Sequence, residues 1–299
     1  MSSDLRLGVL AALGAYVIWG VLPLYFKWLA HISPELMLAH RVAWSLPTGV
    51  ILLLVARQFR ALQKAVSPAR LGWLALSSLL IGANWFVDIW AVGEGRVLEA
   101  SLGYYINPLV NVAIGAVFFS ERLNRVQWSA VGLAAIGVLV MTLALGHIPL
   151  VALFLCFSFA GYSLIRKQVA IDGRAGFVVE AALLFPLAGL WMLQFDAGGG
   201  AVWGTGSMSD VLSLLAAGPI TAVPLILFAL AAKRLSLATI GMMQYIGPTL
   251  QFALALFIFG ETFGLTHAVA FGFIWAALIV FSADGLRAAR TARQLAPAA

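Results

Sequence analysis

The stretch LEASLGYYINPLVNVAIGAVFFSE at residues 98–121 reappears in altered form as ATIGMMQYIGPTLQFALALFIFGE at residues 238–261. The two blocks align without a gap at an offset of 140 residues and share six identical positions. The identical pairs are Tyr105 and Tyr245, Ile106 and Ile246, Pro108 and Pro248, Ala113 and Ala253, Phe119 and Phe259, and Glu121 and Glu261. Both blocks are apolar for long enough to cross a bilayer. A duplicated membrane helix that keeps Tyr-Ile-x-Pro is typical of a transporter more than of an enzyme.

The composition places the chain in lipid rather than in water. Of its 299 residues, 63% are hydrophobic and only 10% are charged, whereas a soluble domain carries about 25% charged residues. The single cysteine, Cys156, excludes a disulfide within the chain and makes a thiolate metal site implausible. We therefore expect an all-α integral membrane protein with no cofactor and no metal.

Ten apolar stretches reach the roughly 20 residues that a transmembrane helix needs. They are 7–29, 35–56, 71–92, 98–120, 126–145, 148–165, 176–195, 210–232, 237–259 and 266–283. The loops between them are short and leave no space for a catalytic domain outside the membrane.

The basic residues predict the orientation of these helices. If the N-terminus is cytoplasmic, 15 of the 18 lysine and arginine residues fall on the inner side, and only Lys27, Arg41 and Arg96 belong to the other. This bias predicts that both termini face the cytoplasm, in a multi-pass protein of the bacterial inner membrane. Because the basic residues form short clusters between apolar runs, the net charge of +6 indicates membrane topology and not nucleic-acid binding.

The repeat divides the ten helices into two halves. The same offset also aligns Asn84 with Pro224 and Ala91 with Ala231. Predicted helices three to five therefore correspond to predicted helices eight to ten. Each half, 1–146 and 147–299, then holds five crossings, the second ending in a short basic tail. An odd number of crossings inverts the second half relative to the first, which allows inward-open and outward-open conformations. The alternative is chance similarity between leucine-rich helices.

Several motifs together resemble one family. They are AYVIWGVLPLYFK (15–27), HRVAWS (40–45), NWFVDIWAV (84–92), LEASLGYYINPLVN (98–111) and QYIGPTLQF (244–252). The chain resembles the RarD-type members of the EamA group, within the drug/metabolite transporter superfamily. The resemblance implies two inverted five-helix repeats, with helices one, three, four, six, eight and nine around a central cavity. It also implies export of a metabolite, amino acid or drug-like solute. RarD-type proteins are associated by name with chloramphenicol sensitivity.

Polar residues at membrane depth are expensive and are hypotheses for function by default. Asn84 and Asp88 are four residues apart on the third predicted helix and share a face, and Arg41 lies at comparable depth on the second. We hypothesise an Arg41–Asp88 ion pair on the outer side of the cavity, as a gate or as part of a substrate site. The alternative is a structural pair that fixes helix packing. Lys27 either reaches the outer headgroups or steers an anionic or zwitterionic solute.

The repeated prolines predict kinks, since each removes a backbone donor and disturbs the preceding turn. Polar side chains cluster around both prolines, and they either line the cavity or join packed helices by hydrogen bonds. The predicted cavity residues are Tyr16, Trp19, Asn84, Trp85, Asp88, Trp90, Tyr104, Tyr105, Asn107, Asn111, Tyr162, Gln244 and Tyr245. The predicted gating residues are Lys27, His40, Arg41, Asp88, Pro108 and Pro248.

Enzyme motifs such as HExxH, GxSxG and CxxC are absent from the sequence, so no catalytic residue is predicted. Without a Walker A motif, transport must use an ion gradient or the gradient of the solute. In a proton-coupled transporter, Asp88 would be the coupling carboxylate and Glu180 the second choice. An uncoupled facilitator or channel and a non-transporting scaffold are the alternatives.

The expected partners are the bilayer and a small solute, for a monomer or homodimer. Glu121 and Glu261 are predicted to cap helices or anchor the two repeats.

Overall fold

The computed structural model describes residues 3–118, 123–169, 171–197, 207–232, 234–235 and 243–295. These residues form eleven helices. They are α1 (Ser3–Trp28), α2 (Pro34–Val55), α3 (Phe59–Ala65), α4 (Pro68–Gly93), α5 (Val97–Phe118), α6 (Arg125–Leu145), α7 (Leu150–Val169), α8 (Gly173–Ala197), α9 (Met208–Ala232), α10 (Ile246–Phe257) and α11 (Leu265–Leu295). All except the short α3 coincide with one of the ten predicted apolar stretches, which confirms the all-helical prediction.

Lipid is the natural surrounding of these helices. Among the described residues, seven helices are long and apolar enough to cross a membrane, and Leu150–Arg166 and Ile246–Phe257 are shorter apolar helices. Large hydrophobic side chains also remain exposed on many helices. A soluble monomer rarely exposes so continuous an apolar surface, so the chain is a multi-pass membrane protein.

Local signals explain where some of the helices begin and end. Asn124 and Gln127 form a capping box at the start of α6, because each side chain accepts the backbone N–H of the other residue. Gly146 ends the same helix with a φ of 69°, a left-handed conformation that favours glycine. Ser33 begins α2 by accepting the backbone N–H of Leu36.

The helices pack in a pattern that relates the two halves of the chain. Counterparts five crossings apart are α1 and α7, α2 and α8, α4 and α9, α5 and α10, and α6 and α11. Three counterpart pairs are in direct contact: α2 with α8, α5 with α10 and α6 with α11. The remaining major contacts occur twice, since α1 packs on α9 as α7 packs on α4, and α1 packs on α10 as α7 packs on α5.

Glycines bring helices from opposite halves into close contact. A Cβ atom built on Gly103 of α5 would press into the backbone of Ala152 on α7. On Gly218 of α9 it would overlap the carbonyl of Trp44 on α2. Small residues at such contacts let helix backbones approach closely, which replaces the hydrophobic effect as a source of packing energy in lipid.

The two repeated prolines have different structural roles. Pro108 lies inside α5, as predicted. Pro248 instead lies in the first turn of α10, which begins at Ile246. A backbone N–H in a first turn has no partner within the helix, so proline is tolerated there without a kink. Met243 is helical and Gln244 and Tyr245 form a turn before α10, whereas residues 236–242 lie outside the described part, so a kink within 237–259 stays a prediction.

Replacing Gly103 with valine should destabilise the protein, because the added side chain meets the backbone of α7 and not a flexible side chain. Overpacking of this kind typically costs about 1–3 kcal/mol. Thermal unfolding in detergent measures the effect. Gly132→Val is the matched control, since a Cβ at Gly132 meets nothing within 4 Å. Equal stability of the two variants would contradict the close packing of α5 on α7.

Candidate functional site

A cavity of about 710 Å³ lies between the helices of the two halves. Its volume is within the range that holds small-molecule ligands. Side chains from α1, α2, α4, α5, α7, α8 and α9 line it, together with Gln244 before α10. Its aromatic lining residues are Tyr16, Trp19, Trp85, Phe159, Tyr162, Phe177 and Phe228. The cavity therefore offers flat apolar faces for a solute.

A buried arginine lies towards the end of the cavity that is on the predicted outer side. The Nε of Arg41 donates to Oγ1 of Thr221 over 3.0 Å, which joins α2 to α9. The guanidinium lies over the ring of Trp85 at 4.4 Å and near the ring of Phe26 at 5.4 Å. Such cation–π contacts hold the cation in a fixed plane. Arg41 is only 5% exposed, so its charge is largely removed from bulk water.

The predicted ion pair between Arg41 and Asp88 is not formed in this conformation. Asp88 is close enough to Arg41 for an electrostatic interaction. However, no direct ion pair joins the two residues in the described structure. The reason is the orientation of the guanidinium, which faces Trp85 and Thr221 instead. Asp88 lies behind the cavity and not among the residues that line it.

A buried carboxylate stands towards the inner end. Glu180 on α8 accepts a hydrogen bond from Oγ of Ser77 over 2.6 Å and from the hydroxyl of Tyr162 over 3.4 Å. Nη1 of Arg166 lies 3.5 Å from its Oε1. A Cβ atom on Gly176 would overlap the Arg166 guanidinium, so the absence of a side chain there makes room for this pair. The sequence predicted Tyr162 and considered Glu180, but it treated Arg166 only as a topological charge.

Arg41 and Glu180 lie equally far along α2 and α8. Arg41 is the eighth residue of α2 and Glu180 is the eighth residue of α8, the counterpart helix. At 1.5 Å per residue, each lies about 10 Å from the start of its helix. Since the two helices begin on opposite predicted sides, the cavity carries a cation near its outer end and an anion near its inner end.

Seven of the predicted residues line the cavity. They are Tyr16, Trp19, Arg41, Trp85, Asn111, Tyr162 and Gln244. The rings of Tyr16, Trp19 and Phe228 are 5.6–6.3 Å apart and form one aromatic wall. The Asn111 amide donates to Oδ1 of Asn107 over 2.9 Å, which connects the cavity surface to the packing behind it.

Several other predicted residues join helices instead of facing the cavity. The Asn84 amide donates to the Leu155 carbonyl and to Ser158, and the Asn107 amide donates to the Cys156 carbonyl. These bonds hold α4 and α5 against α7. The hydroxyl of Tyr105 likewise donates to Thr249 over 2.8 Å. For these three residues, the alternative of hydrogen bonds between packed helices matches the observed contacts.

The remaining predicted residues lie outside the cavity lining. Tyr104 lies between Asp88 and Asn84, with its hydroxyl 3.5 Å from the Asn84 Oδ1. His40 is buried, and Tyr245 is half-buried beside the core around α5. Trp90 lies beneath the Arg96 guanidinium, and the Lys27 ammonium lies 6.0 Å from the ring of Phe259. Pro108 and Pro248 are also absent from the lining.

Hydrogen bonds from the start of α5 to Glu261 join two parts of the chain on the predicted outer side. The Glu261 carboxylate accepts the backbone N–H groups of Val97 and Leu98 over 2.6 and 2.8 Å, at the start of α5. Burial raises the pKa of the Glu261 carboxyl, whereas these N–H groups and Lys27 lower it. Glu261 therefore anchors the second half to the first, as predicted. Its repeat counterpart Glu121 lies outside the described residues.

The lining of the cavity extends towards the opposite side of the protein. Its lining reaches Leu52 near the end of α2 and Gly173 and Arg174 at the start of α8. The described residues of the outer loops do not contribute to the lining. The cavity is thus directed towards the side that the charge distribution predicts to be cytoplasmic.

Known proteins share both the sequence and the fold. Residues 6–143 match the EamA-like transporter family. "Protein RarD" of Salmonella typhi is 46% identical over 282 residues, covering 94% of this chain and 96% of that protein. An "Uncharacterized transporter" of Vibrio cholerae is 41% identical over 292 residues, covering 97% of each chain. A crystal structure of a protein with 21% identity covers 91% of this chain and 96% of its own, with a TM-score of 0.59, and supports the fold alone.

Removing Arg166 should destabilise the protein more when Glu180 is present than when it is absent. Arg166→Met leaves a buried carboxylate without its cation, a change that costs about 3–5 kcal/mol at a buried pair. In a Glu180→Gln background, the same change lowers the free energy of unfolding only slightly. A double-mutant cycle of unfolding free energies measures the coupling, expected at about 3 kcal/mol. Additive effects of the two substitutions would show that the pair does not interact.

Proposed function

The chain belongs to the EamA-like transporter family, and we propose that it is a secondary transporter that exports a small solute by alternating access. The observation that carries this proposal is the central cavity, which is covered on the outer side and reaches the predicted cytoplasmic side. A metabolite, amino acid or drug-like molecule is the expected class of solute. The protein is not an enzyme, and its family relatives are transporters.

The packing pattern supports the architecture that alternating access needs. We assign ten transmembrane helices in two inverted five-helix repeats, 1–146 and 147–299, with both termini in the cytoplasm of a bacterial inner membrane. Because the major helix contacts occur in counterpart pairs, an outward-open conformation is available in which each half adopts the packing of the other.

The transport cycle follows from the contacts on the two sides. A solute enters from the inner side and binds between the aromatic faces, below Arg41. Opening the outer side requires the Glu261 carboxylate to leave the amides of Val97 and Leu98, which are its partners in the conformation seen here. The inner ends of α2, α7 and α8 then close behind the solute. A channel would need both sides open at once, so the covered outer side favours the transporter.

The position of Glu180 bears on energy coupling. A proton-coupled cycle needs a carboxylate that the solute or water can reach, and Glu180 lines the cavity whereas Asp88 does not. We therefore place proton coupling at Glu180 ahead of Asp88. An uncoupled facilitator that follows the gradient of its solute would need neither residue.

The test of transport begins with solutes that raise the melting temperature of the purified protein, screened among amino acids, nucleosides and antibiotics. We expect proteoliposomes to move at least one of them faster than protein-free vesicles. Absence of flux for every stabilising solute would contradict the proposal and favour a scaffold.

The hydrogen bonds of Glu261 to the start of α5 allow a second test of the transport cycle. Glu261→Gln should change the flux by roughly tenfold, because weakening charge-assisted hydrogen bonds by about 1.4 kcal/mol shifts the balance of conformations by that factor. Glu94→Gln is the matched control on the same side, since Glu94 is exposed. Equal flux in the two variants would contradict a gating role for Glu261.

A further inference from the structure

The Arg41 guanidinium has hydrogen-bonding capacity that the protein does not use. A guanidinium carries five N–H donors. The Nε of Arg41 donates to Thr221, but the buried Nη1 has no hydrogen-bond partner in the part of the chain that the structure describes. A buried charged group is expensive unless it is paired and hydrogen-bonded. This Nη1 has almost no accessible surface, so a solute reaches the guanidinium only through the part of Arg41 that lines the cavity.

Asp88 does not satisfy the remaining donors of Arg41. Asp88 is not among the residues that line the cavity, and it forms no direct ion pair with Arg41 in the described structure. It reduces the electrostatic penalty of burying the cation. It leaves the donors of the guanidinium unsatisfied.

The other charges of the cavity also favour an anion. Its charged lining residues are three cations, Arg41, Arg166 and Arg174, and one acid, Glu180. Glu180 already interacts with Ser77, Tyr162 and Arg166. The excess charge at the cavity surface is therefore positive, which attracts anionic solutes and disfavours cationic ones.

The surroundings of Arg41 define the rest of the ligand. Trp85 covers one part of the guanidinium, so the donors that remain lie in the plane of the group. A single guanidinium in an otherwise apolar setting suits a monoanionic carboxylate, which accepts two parallel hydrogen bonds. The wall formed by Tyr16, Trp19 and Phe228 lines the same cavity and offers a flat apolar surface.

We propose that Arg41, with Trp85 and Thr221, forms a subsite for the carboxylate of a solute whose flat apolar body packs on the aromatic wall. The inference rests on the proposed transport function and names the chemical class of its solute. Arg41 is then the residue that distinguishes an anionic solute from a neutral one of the same shape.

Phenylacetate and phenylacetamide test the subsite, because they differ in charge but hardly in shape. Binding is measured by equilibrium dialysis with the purified protein in detergent. We expect phenylacetate to bind at least about tenfold more tightly, the difference that one charge-assisted hydrogen bond supplies. Arg41→Gln should abolish the preference without changing the binding of phenylacetamide. Arg60→Gln, which removes an exposed cation outside the cavity lining, should keep it.

A second variant guards against a folding defect. Because Arg41→Gln leaves Asp88 without its neighbouring cation, the double variant Arg41→Gln/Asp88→Asn removes both charges and should also bind the two probes equally. A wild-type protein that binds both probes alike, or an Arg41→Gln variant that still prefers phenylacetate, overturns the subsite. These outcomes are independent of flux. Transport of neutral solutes with no anion preference rejects only the subsite, whereas anion preference without any flux rejects only transport.

Discussion

Close backbone contact between helices of opposite halves is the constraint on which the rest of the structure depends. The lack of a side chain at three glycines allows helices to pack closely. Gly103 allows α7 to approach α5, Gly218 allows α2 to approach α9, and Gly137 allows α11 to approach α6. Each of these contacts joins the first half to the second. The helices between Ser3 and Leu145 are therefore interleaved with the described helices between Leu150 and Leu295. Their shared interior is the only place where polar groups can be shielded from lipid, and the cavity lies there.

This shared interior explains how buried charges are tolerated. Arg41 and Glu180 take equivalent positions on α2 and α8, at similar depths from opposite sides. Glu180 is stabilised by Ser77, Tyr162 and Arg166. Arg41 has aromatic neighbours, Thr221 and a more distant carboxylate. The two halves keep the same helix packing but differ in chemistry, so a symmetric framework surrounds an asymmetric binding site.

Apolar length and charge distribution were sufficient to predict the helices, since lipid imposes both on any spanning segment. They also identified Arg41, Trp19 and Tyr162, because polar and aromatic residues at membrane depth are few. Sequence spacing could not show which neighbour each side chain meets. Asn84 and Asn107 share faces with cavity candidates, yet their amides bond carbonyl groups of α7. The place for Arg166 beside Gly176 depends on the contact of α7 with α8, which no local pattern reveals.

The central claim is that one cavity opens alternately to the two sides of the membrane. Ser163 lines the cavity, and Cys156 is the single native cysteine and is buried. A Cys156→Ser/Ser163→Cys protein can thus be labelled with a membrane-impermeant maleimide in inside-out and right-side-out vesicles. The account predicts rapid labelling from the cytoplasmic side, and labelling from the outer side that increases when Glu261→Gln is added. Equal labelling from both sides, or labelling from neither, would contradict it.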